Sequence, residues 1–356
     1  MARFSIGSYG KYALVGLLLL VLGPGRARAQ QDSPLSTNFD LPLLMNPARS
    51  GLSGEKVHDE ASKHFFNLNY KNQLRGCFSS TAIRMLSASY SALLLDRTMS
   101  AGLDVYTNTL NNAVVSDFSI HANYAYHWLI GTSSENGDLH RLSFGLQAGL
   151  RSWGVDLDDI KTGGMYDPAY SGGFNPALVP SYEFDDLSRT VFDLQVGIHY
   201  NGWVQPNLCV ESGLSAYHLN RGRAGLGDVS DRMDIKFLVY GGLSWHDKAM
   251  PESVSEDGHY QVDAALMAHE VGGTVTYMNQ GVYHVLEFAA MYRLYLCAGL
   301  SVGAGLAYRT LCQAHVFSPL FALDISRFQL NLQFDINAGV GRGYTNLMSI
   351  GLAYRF

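Results

Sequence analysis

The fold class of this chain is decided by the stretch Ser326–Gly339, which reads SRFQLNLQFDINAG. Every second residue from Phe328 to Ala338 is apolar, and polar residues stand between them. Successive side chains of a β-strand point to opposite faces, so a period of two residues predicts a strand with one apolar face and one polar face.

The same alternation recurs earlier in the chain, in the runs 118–128, 142–150, 192–200 and 298–308. The strands around these runs are ten or more residues long. Strands of soluble proteins average about five or six residues, whereas a strand that crosses a membrane at a tilt needs about 9–11. The lengths therefore favour a membrane-spanning sheet over a soluble all-β fold.

The composition supports this interpretation and excludes other classes. Only 16% of the residues are charged, against about 25% in an average soluble domain. The 21 Tyr and 17 Phe residues supply enough apolar surface to exclude a disordered chain. No apolar run reaches the ~20 residues of a membrane helix. The net charge is −6 and no basic stripe is present, so nucleic acid is excluded as a partner.

Residues 1–29 are predicted to be a signal peptide. Basic Arg3 and Lys11 precede the apolar run Ala13–Leu22, and Ala27-Arg28-Ala29 forms a cleavage site. The apolar run is too short for a membrane anchor. The segment carries four basic and no acidic residues, so its removal changes the net charge from −6 to −10. We expect an exported chain that starts at Gln30.

Residues 63–356 are predicted to form an all-β, transmembrane antiparallel β-barrel of about fourteen strands. An even number of strands is typical of bacterial single-chain outer-membrane barrels. The expected strands are 63–74, 81–93, 96–108, 115–129, 139–152, 189–200, 206–219, 231–245, 259–270, 279–292, 294–309, 312–324, 326–338 and 343–356.

The connections between these strands predict an orientation. With both chain ends in the periplasm, connections after odd-numbered strands face outward. The longest connection, 153–188, and the next longest, 220–230, are then external, as is usual for such barrels. Tight joins at the periplasmic end are expected at Asn201–Trp203, near Arg293 and near Ser326.

The end of the chain carries a second signal. Met348, Ile350, Leu352, Tyr354 and Phe356 alternate with small or polar residues, and Phe356 is the last residue. A terminal aromatic residue after alternate apolar residues resembles the signal that is read by the assembly machinery of outer-membrane barrels. We therefore predict that Tyr354 and Phe356 form an assembly signal.

No catalytic, metal-binding or cofactor-binding residues are indicated. The twelve histidines are scattered, and no spacing typical of a zinc site or a hydrolase motif occurs. His121, His127 and His199 fall on the polar side of their strands, so we expect them to face the lumen. The connection 153–188 contains seven carboxylates without EF-hand spacing. We interpret it as a solvated acidic loop rather than a calcium site.

Between the signal peptide and the first strand lies the segment 30–62, which is too irregular for a strand. Within it, Pro47 fixes its own φ and biases Asn46 toward an extended conformation. Gly51 permits a backbone conformation that other residues resist. Such a rigid turn outside the barrel ladder is either a plug or docking element, or a simple periplasmic tail that links the signal peptide to the barrel.

Three stretches, taken in order, resemble one known family. Asn46-Pro47-Ala48 with Gly51 resembles the N-terminal N-P-A-x-x-G motif of the PorP/SprF family, and Tyr70-Lys71-Asn72-Gln73 resembles its Y-R-N-Q step. The run Leu142–Leu150 (LSFGLQAGL), followed by Val155-Asp156-Leu157 and Asp167-Pro168, is similar to the family's central segment. Lys71 and Leu74 depart from the family pattern, which has Arg and Trp at these positions.

The resemblance implies a non-enzymatic outer-membrane component of the type IX secretion system. Such a protein acts with other secretion components on a protein client such as a large adhesin, often in gliding bacteria, and uses no cofactor. A passive porin or a hydrophobic-solute transporter of the outer membrane is the alternative. The resemblance marks as candidates for partner contact or plug formation the residues Asn46, Pro47, Ala48, Gly51, Tyr70, Asn72 and Gln73.

Overall fold

The structure is a computed structural model, which describes residues 41–52, 63–73, 83–94, 98–110, 115–133, 138–155, 166–170, 173, 175, 188–205, 207–223, 232–247, 268–297, 299–311, 314–337 and 347–356. The predicted signal peptide 1–29 lies outside the described residues, as do parts of the segment 30–62 and most of the acidic connection 153–188.

The described chain consists of two short helical elements followed by fourteen strands. The helical elements are α1 (Pro42–Met45) and the 3₁₀ turn η1 (Pro47–Arg49). The strands are β1 (His64–Gln73), β2 (Ile83–Leu94), β3 (Met99–Leu110), β4 (Val115–Ser133), β5 (Asp138–Val155), β6 (Ser188–Gln205), β7 (Leu208–Tyr217), β8 (Lys236–His246), β9 (Ala268–Gln280), β10 (Tyr283–Cys297), β11 (Leu300–Leu311), β12 (Ala314–Ile325), β13 (Phe328–Asn337) and β14 (Leu347–Arg355).

These strands close into one antiparallel barrel. Each strand pairs with its neighbours in sequence, and β1 pairs with β14 from Phe65↔Arg355 to Gln73↔Leu347. The predicted fold class and strand number are therefore confirmed. Within the described ranges, no helix is both long and apolar enough to cross a membrane.

The two faces of the wall carry opposite chemistry. Outward side chains are mainly apolar and exposed, and inward side chains are mainly polar and buried. In β13, for example, Phe334 is 37% exposed while its neighbour Gln333 is 2% exposed. His121, His127 and His199 are buried on the inner face, as their strand positions predict. This wall suits a lipid surround, because it places its apolar side chains outside.

The ninth strand was expected at 259–270, and this prediction is wrong. The observed β9 runs from Ala268 to Gln280 and overlaps the expected span only at its start. Outward Val271, Val275 and Tyr277 carry the alternation, but Gly272 and Gly273 interrupt the apolar pattern in the sequence. Because of these two glycines, the alternation does not reveal that the strand is continuous.

The three predicted tight joins are present between β6 and β7, β10 and β11, and β12 and β13, but only the last lies at its expected position. Ser326 lies in the turn between β12 and β13, where its φ of 54° fits a tight reversal. In contrast, Asn201–Trp203 lies within β6 and Arg293 lies within β10, because both strands continue for several residues beyond the expected ends. Polar or glycine residues near a strand end do not by themselves stop the ladder.

The first strand begins and the last strand ends at the same rim of the barrel, which we call the terminal end. The opposite rim is called the far end. The end of β5 and the start of β6 lie at the far end, as do the end of β7 and the start of β8, so the two longest predicted connections begin and end there. The connection 247–267, between β8 and β9, lies at the terminal end.

Candidate functional site in the barrel lumen

Residues 41–52, here called the lumenal segment, lie inside the barrel. Leu43, Met45, Asn46, Ala48 and Ser50 are all buried. Inward side chains of β3, β4 and β7 satisfy carbonyls of the segment. The donors and acceptors are Tyr217 Oη to Leu44 O at 2.9 Å, Ser215 Oγ to Met45 O at 2.7 Å, Asn123 Nδ2 to Pro47 O at 3.1 Å, and Ser100 Oγ to Ser50 O at 2.9 Å.

The local conformation of this segment follows from its sequence. Asn46 is extended, with φ −160° and ψ 119°, which is the conformation preferred by a residue that precedes proline. Pro47 occupies the first position of η1, where a missing N–H costs nothing. The Asn46 Oδ1 accepts a hydrogen bond from Ala48 N at 2.9 Å and caps the turn.

Asn46 also fixes the segment to the wall. Its Nδ2 donates to Ile198 O at 2.9 Å and to Leu214 O at 3.3 Å, and it lies 3.4 Å from the hydroxyl of Tyr240. The side chain is 0% exposed, and a buried amide needs both its donors and its acceptor satisfied. A single residue therefore ties the turn to β6, β7 and β8.

Two glycines of the wall make room for the segment. A Cβ placed on Gly145 would overlap the main chain of Pro47 and Ala48. A Cβ placed on Gly197 would overlap the side-chain oxygen of Asn46. At these positions of β5 and β6, any side chain would occupy the space that the segment fills.

The C-terminal part of the segment needs a glycine for a different reason. Gly51 has a φ of 70°, which lies in the left-handed region that favours glycine. Its position also leaves no space for a side chain, since a Cβ would lie 2.8 Å from Leu93 Cδ2 and 2.9 Å from Ser100 Cβ. Conformation and packing therefore both require glycine here.

Arg49 and Met45 complete the contact with the wall. Arg49 Nη2 lies 3.7 Å from Glu211 Oε2, and its guanidinium carbon lies 5.7 Å from the centre of the Tyr240 ring. Burial lowers the pKa of Arg49, but the interactions with Glu211, Tyr240 and Tyr217 together outweigh burial, so this pKa lies above the ordinary value for arginine. Met45 packs against Tyr217 and Tyr240, and burying such a side chain is worth about 1.5–3 kcal/mol.

A chain of hydrogen-bonded histidine and aspartate side chains lies on the far-end side of the segment. His121 lies 3.4 Å from Asp104 and 3.3 Å from Asp193, and Asp193 lies 2.9 Å from His218. Together with Leu44 and other residues, His121, Asp193 and His218 line a small cleft. Among the residues that the structure describes, no three His, Cys, Asp or Glu side chains are grouped so as to hold a metal ion.

A second charged cluster lies on the inner faces of β1 and β10 to β13. Arg309 is 2% exposed. Its Nη2 lies 2.6 Å from Glu287 Oε2, and its Nη1 lies 3.4 Å from Asp335 Oδ2. Lys71 Nζ lies 3.7 Å from the same Asp335 oxygen, and Ser318 Oγ donates to Asp335 Oδ1 at 2.6 Å. The two basic and two acidic side chains of this cluster therefore neutralise one another.

The last residue of the chain closes the seam of the wall. Phe356 O accepts hydrogen bonds from Lys63 N at 3.3 Å and His64 N at 3.0 Å, and Phe356 N donates to His64 O at 3.0 Å. The Phe356 ring stacks on the His64 ring at 5.1 Å and on the Tyr354 ring at 5.4 Å. The C-terminus thus joins the first and last strands through main chain and rings together.

The comparison with protein families decides the identity of this barrel. The family described as "Type IX secretion system membrane protein PorP/SprF" matches residues 27–356. The chain belongs to the PorP/SprF family. This PorP/SprF protein is accordingly an outer-membrane β-barrel of the type IX secretion system.

No curated protein sequence matches the chain. Solved barrels are similar to it at low identity. The toluene transporter TbuX of Ralstonia pickettii is 8% identical, with a TM-score of 0.45, over 89% of this chain and 94% of that chain. Omp33 of Acinetobacter baumannii is 9% identical, with a TM-score of 0.38, over 83% and 98%. The CymD monoaromatic hydrocarbon channel is 10% identical, with a TM-score of 0.44, over 89% and 93%.

The structure separates the candidate residues of this PorP/SprF protein into two groups. Asn46, Pro47, Ala48 and Gly51 lie together in the lumen. Tyr70 is 40% exposed and points outward from β1 near the far end, and Asn72 lies on the same outer face. Gln73 is the last residue of β1 and pairs with Leu347. The two motifs therefore do not form one site.

Sequence reasoning missed the wall residues that receive the segment. Gly145 lies within the run Leu142–Leu150, where the sequence gives only a strand and a family resemblance. A glycine on the inner face of an otherwise regular strand was the available signal, because such a glycine often marks the close approach of another backbone. The ion-pair partner of Lys71 could not be predicted from the sequence, because Asp335 lies on a strand that is distant in sequence.

Deletion of Phe356 is expected to lower the amount of folded barrel in the outer membrane. The variant loses the ring that stacks on His64 and moves the chain terminus to Arg355, so the seam between β1 and β14 is shortened. The measurement is the fraction of heat-modifiable folded barrel in outer-membrane fractions. Phe356→Tyr, which keeps the ring and the main chain, serves as the control. A normal folded yield for the deletion would contradict an assembly role.

Proposed function

We propose that this protein is a non-enzymatic component of the type IX secretion system that assists the secretion or surface attachment of a protein client such as a large adhesin. Other secretion components are its partners. Membership of the PorP/SprF family supports the secretion role. The observation that carries the proposal at the level of residues is the lumenal segment, which places the family motif Asn46-Pro47-Ala48 inside the barrel.

The lumenal segment acts in this proposal as a plug or docking element. Its contacts are specific in a way that a linker does not need. The side-chain N–H groups of Asn46 donate to the wall, and its side-chain oxygen accepts from its own turn. Gly145 and Gly197 lack the side chains that would overlap the segment. A passive porin or solute transporter needs an open path, and the segment and the Arg309 cluster both occupy the lumen.

The test is the combined replacement of Asn46, Pro47 and Gly51 by Ala. None of these residues belongs to the strand ladder, so we expect the barrel to remain folded and embedded in the membrane. We expect less client to be released or displayed at the cell surface, with client accumulating inside the cell. The measurement quantifies folded barrel and surface client in the same cells.

A paired variant, Tyr70→Ala with Asn72→Ala, tests the other candidate residues, which face outward. Loss of display only in this second variant would move the partner contact to the outer wall. Normal display at a normal barrel level in the first variant would contradict a role of the segment in docking or plugging. A collapse of the barrel level would show that the segment is structural.

A further inference from the structure

Five pairs of Tyr and His side chains lie on the outer face of the wall. In each pair, the tyrosine hydroxyl is hydrogen-bonded to the histidine Nδ1. The pairs and distances are His64–Tyr90 at 2.7 Å, His140–Tyr200 at 2.7 Å, His269–Tyr292 at 2.5 Å, His284–Tyr277 at 2.9 Å and His315–Tyr308 at 2.8 Å. Within the described strands, every outward-facing histidine belongs to such a pair.

The pairs form two belts, one near each end of the barrel. His64, His140 and His269 lie at or near the start of β1, β5 and β9, at the terminal end. His284 and His315 lie near the start of β10 and β12, at the far end. In each pair the tyrosine lies diagonally across the ladder, two residues closer to the middle of the wall.

The distance between the belts matches the apolar layer of a membrane. On β9, His269 and Asn279, the residue opposite His284, are ten residues apart. Ten residues of strand span about 33 Å, which at a tilt of about 40° is about 25 Å along the barrel axis, the height of the apolar band of such barrels. The outward residues between the belts on β9 and β10 are uncharged: Val271, Gly273, Val275, Tyr277, Leu286, Phe288, Ala290 and Tyr292.

The chemistry of a pair points to a particular ligand. A phenol at the edge of an apolar layer needs a hydrogen-bond acceptor for its proton. A neutral imidazole that accepts this proton at Nδ1 carries its own proton at Nε2, so Nε2 becomes a donor. At the depth of the belts, the membrane offers the phosphate oxygens of lipid headgroups as acceptors. In the His269 pair, Nε2 also lies 3.9 Å from Asp247 Oδ2.

We infer that the two belts bind phosphate-bearing lipid headgroups, with histidine Nε2–H groups donating to the lipid phosphates, and that these contacts set the height of the barrel in the membrane. In each pair, the tyrosine lies closer to the middle of the wall and keeps its ring in the apolar layer. Its hydroxyl holds the histidine at the boundary of that layer. The inference is independent of the secretion role.

Two native tryptophans report the height of the terminal-end belt. Trp128 and Trp245 are outward-facing and exposed, whereas Trp153 and Trp203 are buried on the inner face. Across β4, β5 and β6, Trp128, Leu142 and Tyr200 are paired in register and so lie at one level. Across β8, β9 and β10, the same holds for Trp245, Val271 and Tyr292. Both outward tryptophans therefore lie level with tyrosines of this belt, next to His140 and His269.

The experiment reconstitutes the full barrel into phosphatidylcholine vesicles whose acyl chains are brominated either near the headgroup or near the chain end. For the native protein, we expect the shallow bromines to quench tryptophan fluorescence more strongly. For the variant His64→Phe, His140→Phe, His269→Phe, we expect this order to reverse, because the terminal-end belt moves into the apolar layer. The variant His284→Phe, His315→Phe, which removes the far-end belt, should keep the native order.

A second set of vesicles, made from a phosphate-free galactolipid with the same brominated chains, identifies the ligand. There the native protein and the triple variant should give the same quenching order. An unchanged order for the triple variant in phosphatidylcholine would overturn the inference. Equal reversal in both lipids would also overturn it, because the belts would then act without phosphate. If the triple variant folds poorly, the single variant His140→Phe, read through Trp128, gives the same comparison.

Discussion

The variant Gly145→Val is expected to conduct ions through a barrel that is otherwise unchanged. A fourteen-stranded wall encloses more space than its own side chains fill, since barrels of about eight strands are already filled by theirs. In this structure the lumenal segment occupies that space on the side of β3 to β8. Because a Cβ on Gly145 already overlaps the main chain of Pro47 and Ala48, a valine displaces the segment. Planar-bilayer recordings of the purified barrel measure the result.

The matched control is Gly272→Val, which also adds a side chain to the inner face. A Cβ on Gly272 has its nearest neighbour, Leu243 O, at 3.7 Å, which is an ordinary contact. We expect Gly272→Val and the native protein to conduct little, and a deletion of residues 41–52 to conduct as Gly145→Val does. Steady conductance of the native barrel, or silence of both the folded Gly145→Val variant and the deletion, would contradict the plug.

The variant Arg309→Met is expected to cost about 3–5 kcal/mol of unfolding free energy, the range measured when one partner of a buried ion pair is removed. Arg309 is bonded to Glu287 and Asp335. Its loss leaves Glu287 as a buried carboxylate without its cation, while Asp335 keeps Lys71. The measurement is urea unfolding of the reconstituted barrel, followed by tryptophan fluorescence.

A second substitution separates loss of charge from loss of packing. Arg309→Met combined with Glu287→Met removes both members of the stronger pair and leaves Lys71 and Asp335 together. Replacing a whole buried ion pair with apolar residues is often close to neutral, so we expect the double variant to regain most of the lost stability. A double variant as unstable as Arg309→Met alone would show that the cluster acts through shape rather than charge.

The wall could be predicted from sequence because its strands obey a local rule. In β13, alternation from Phe328 to Asn337 defines both the strand and its two faces, without knowledge of any partner. The rule fails where side chains are missing, as at Gly272 and Gly273 of β9. It also gives no exact ends, since pairing with a neighbour extended β6 and β10 beyond the expected limits.

The interior could not be predicted in the same way, because its contacts depend on which strands face each other after closure. The alternation places Lys71 on the inner face of β1, but it does not bring Asp335 of β13 to it. The family motif singles out Asn46, yet the acceptors of its amide are carbonyls of Ile198 and Leu214, and a carbonyl has no signature in sequence. Closure of the barrel creates these neighbours.

The position of the lumenal segment has a consequence for the order in which the protein matures. Asn46 precedes the first strand, but its bonds to Ile198 and Tyr240 join residues 152 and 194 apart in the chain. Contacts between residues so distant in sequence form late, because closing the long loop between them costs conformational entropy. Most wall strands are not delayed in this way, because each pairs with the strand that is next to it in the sequence. The sheet can therefore form largely before the residues that were synthesised first occupy its interior, whereas the β1–β14 seam, which pairs Phe65 with Arg355 at a separation of 290 residues, closes no earlier than these contacts.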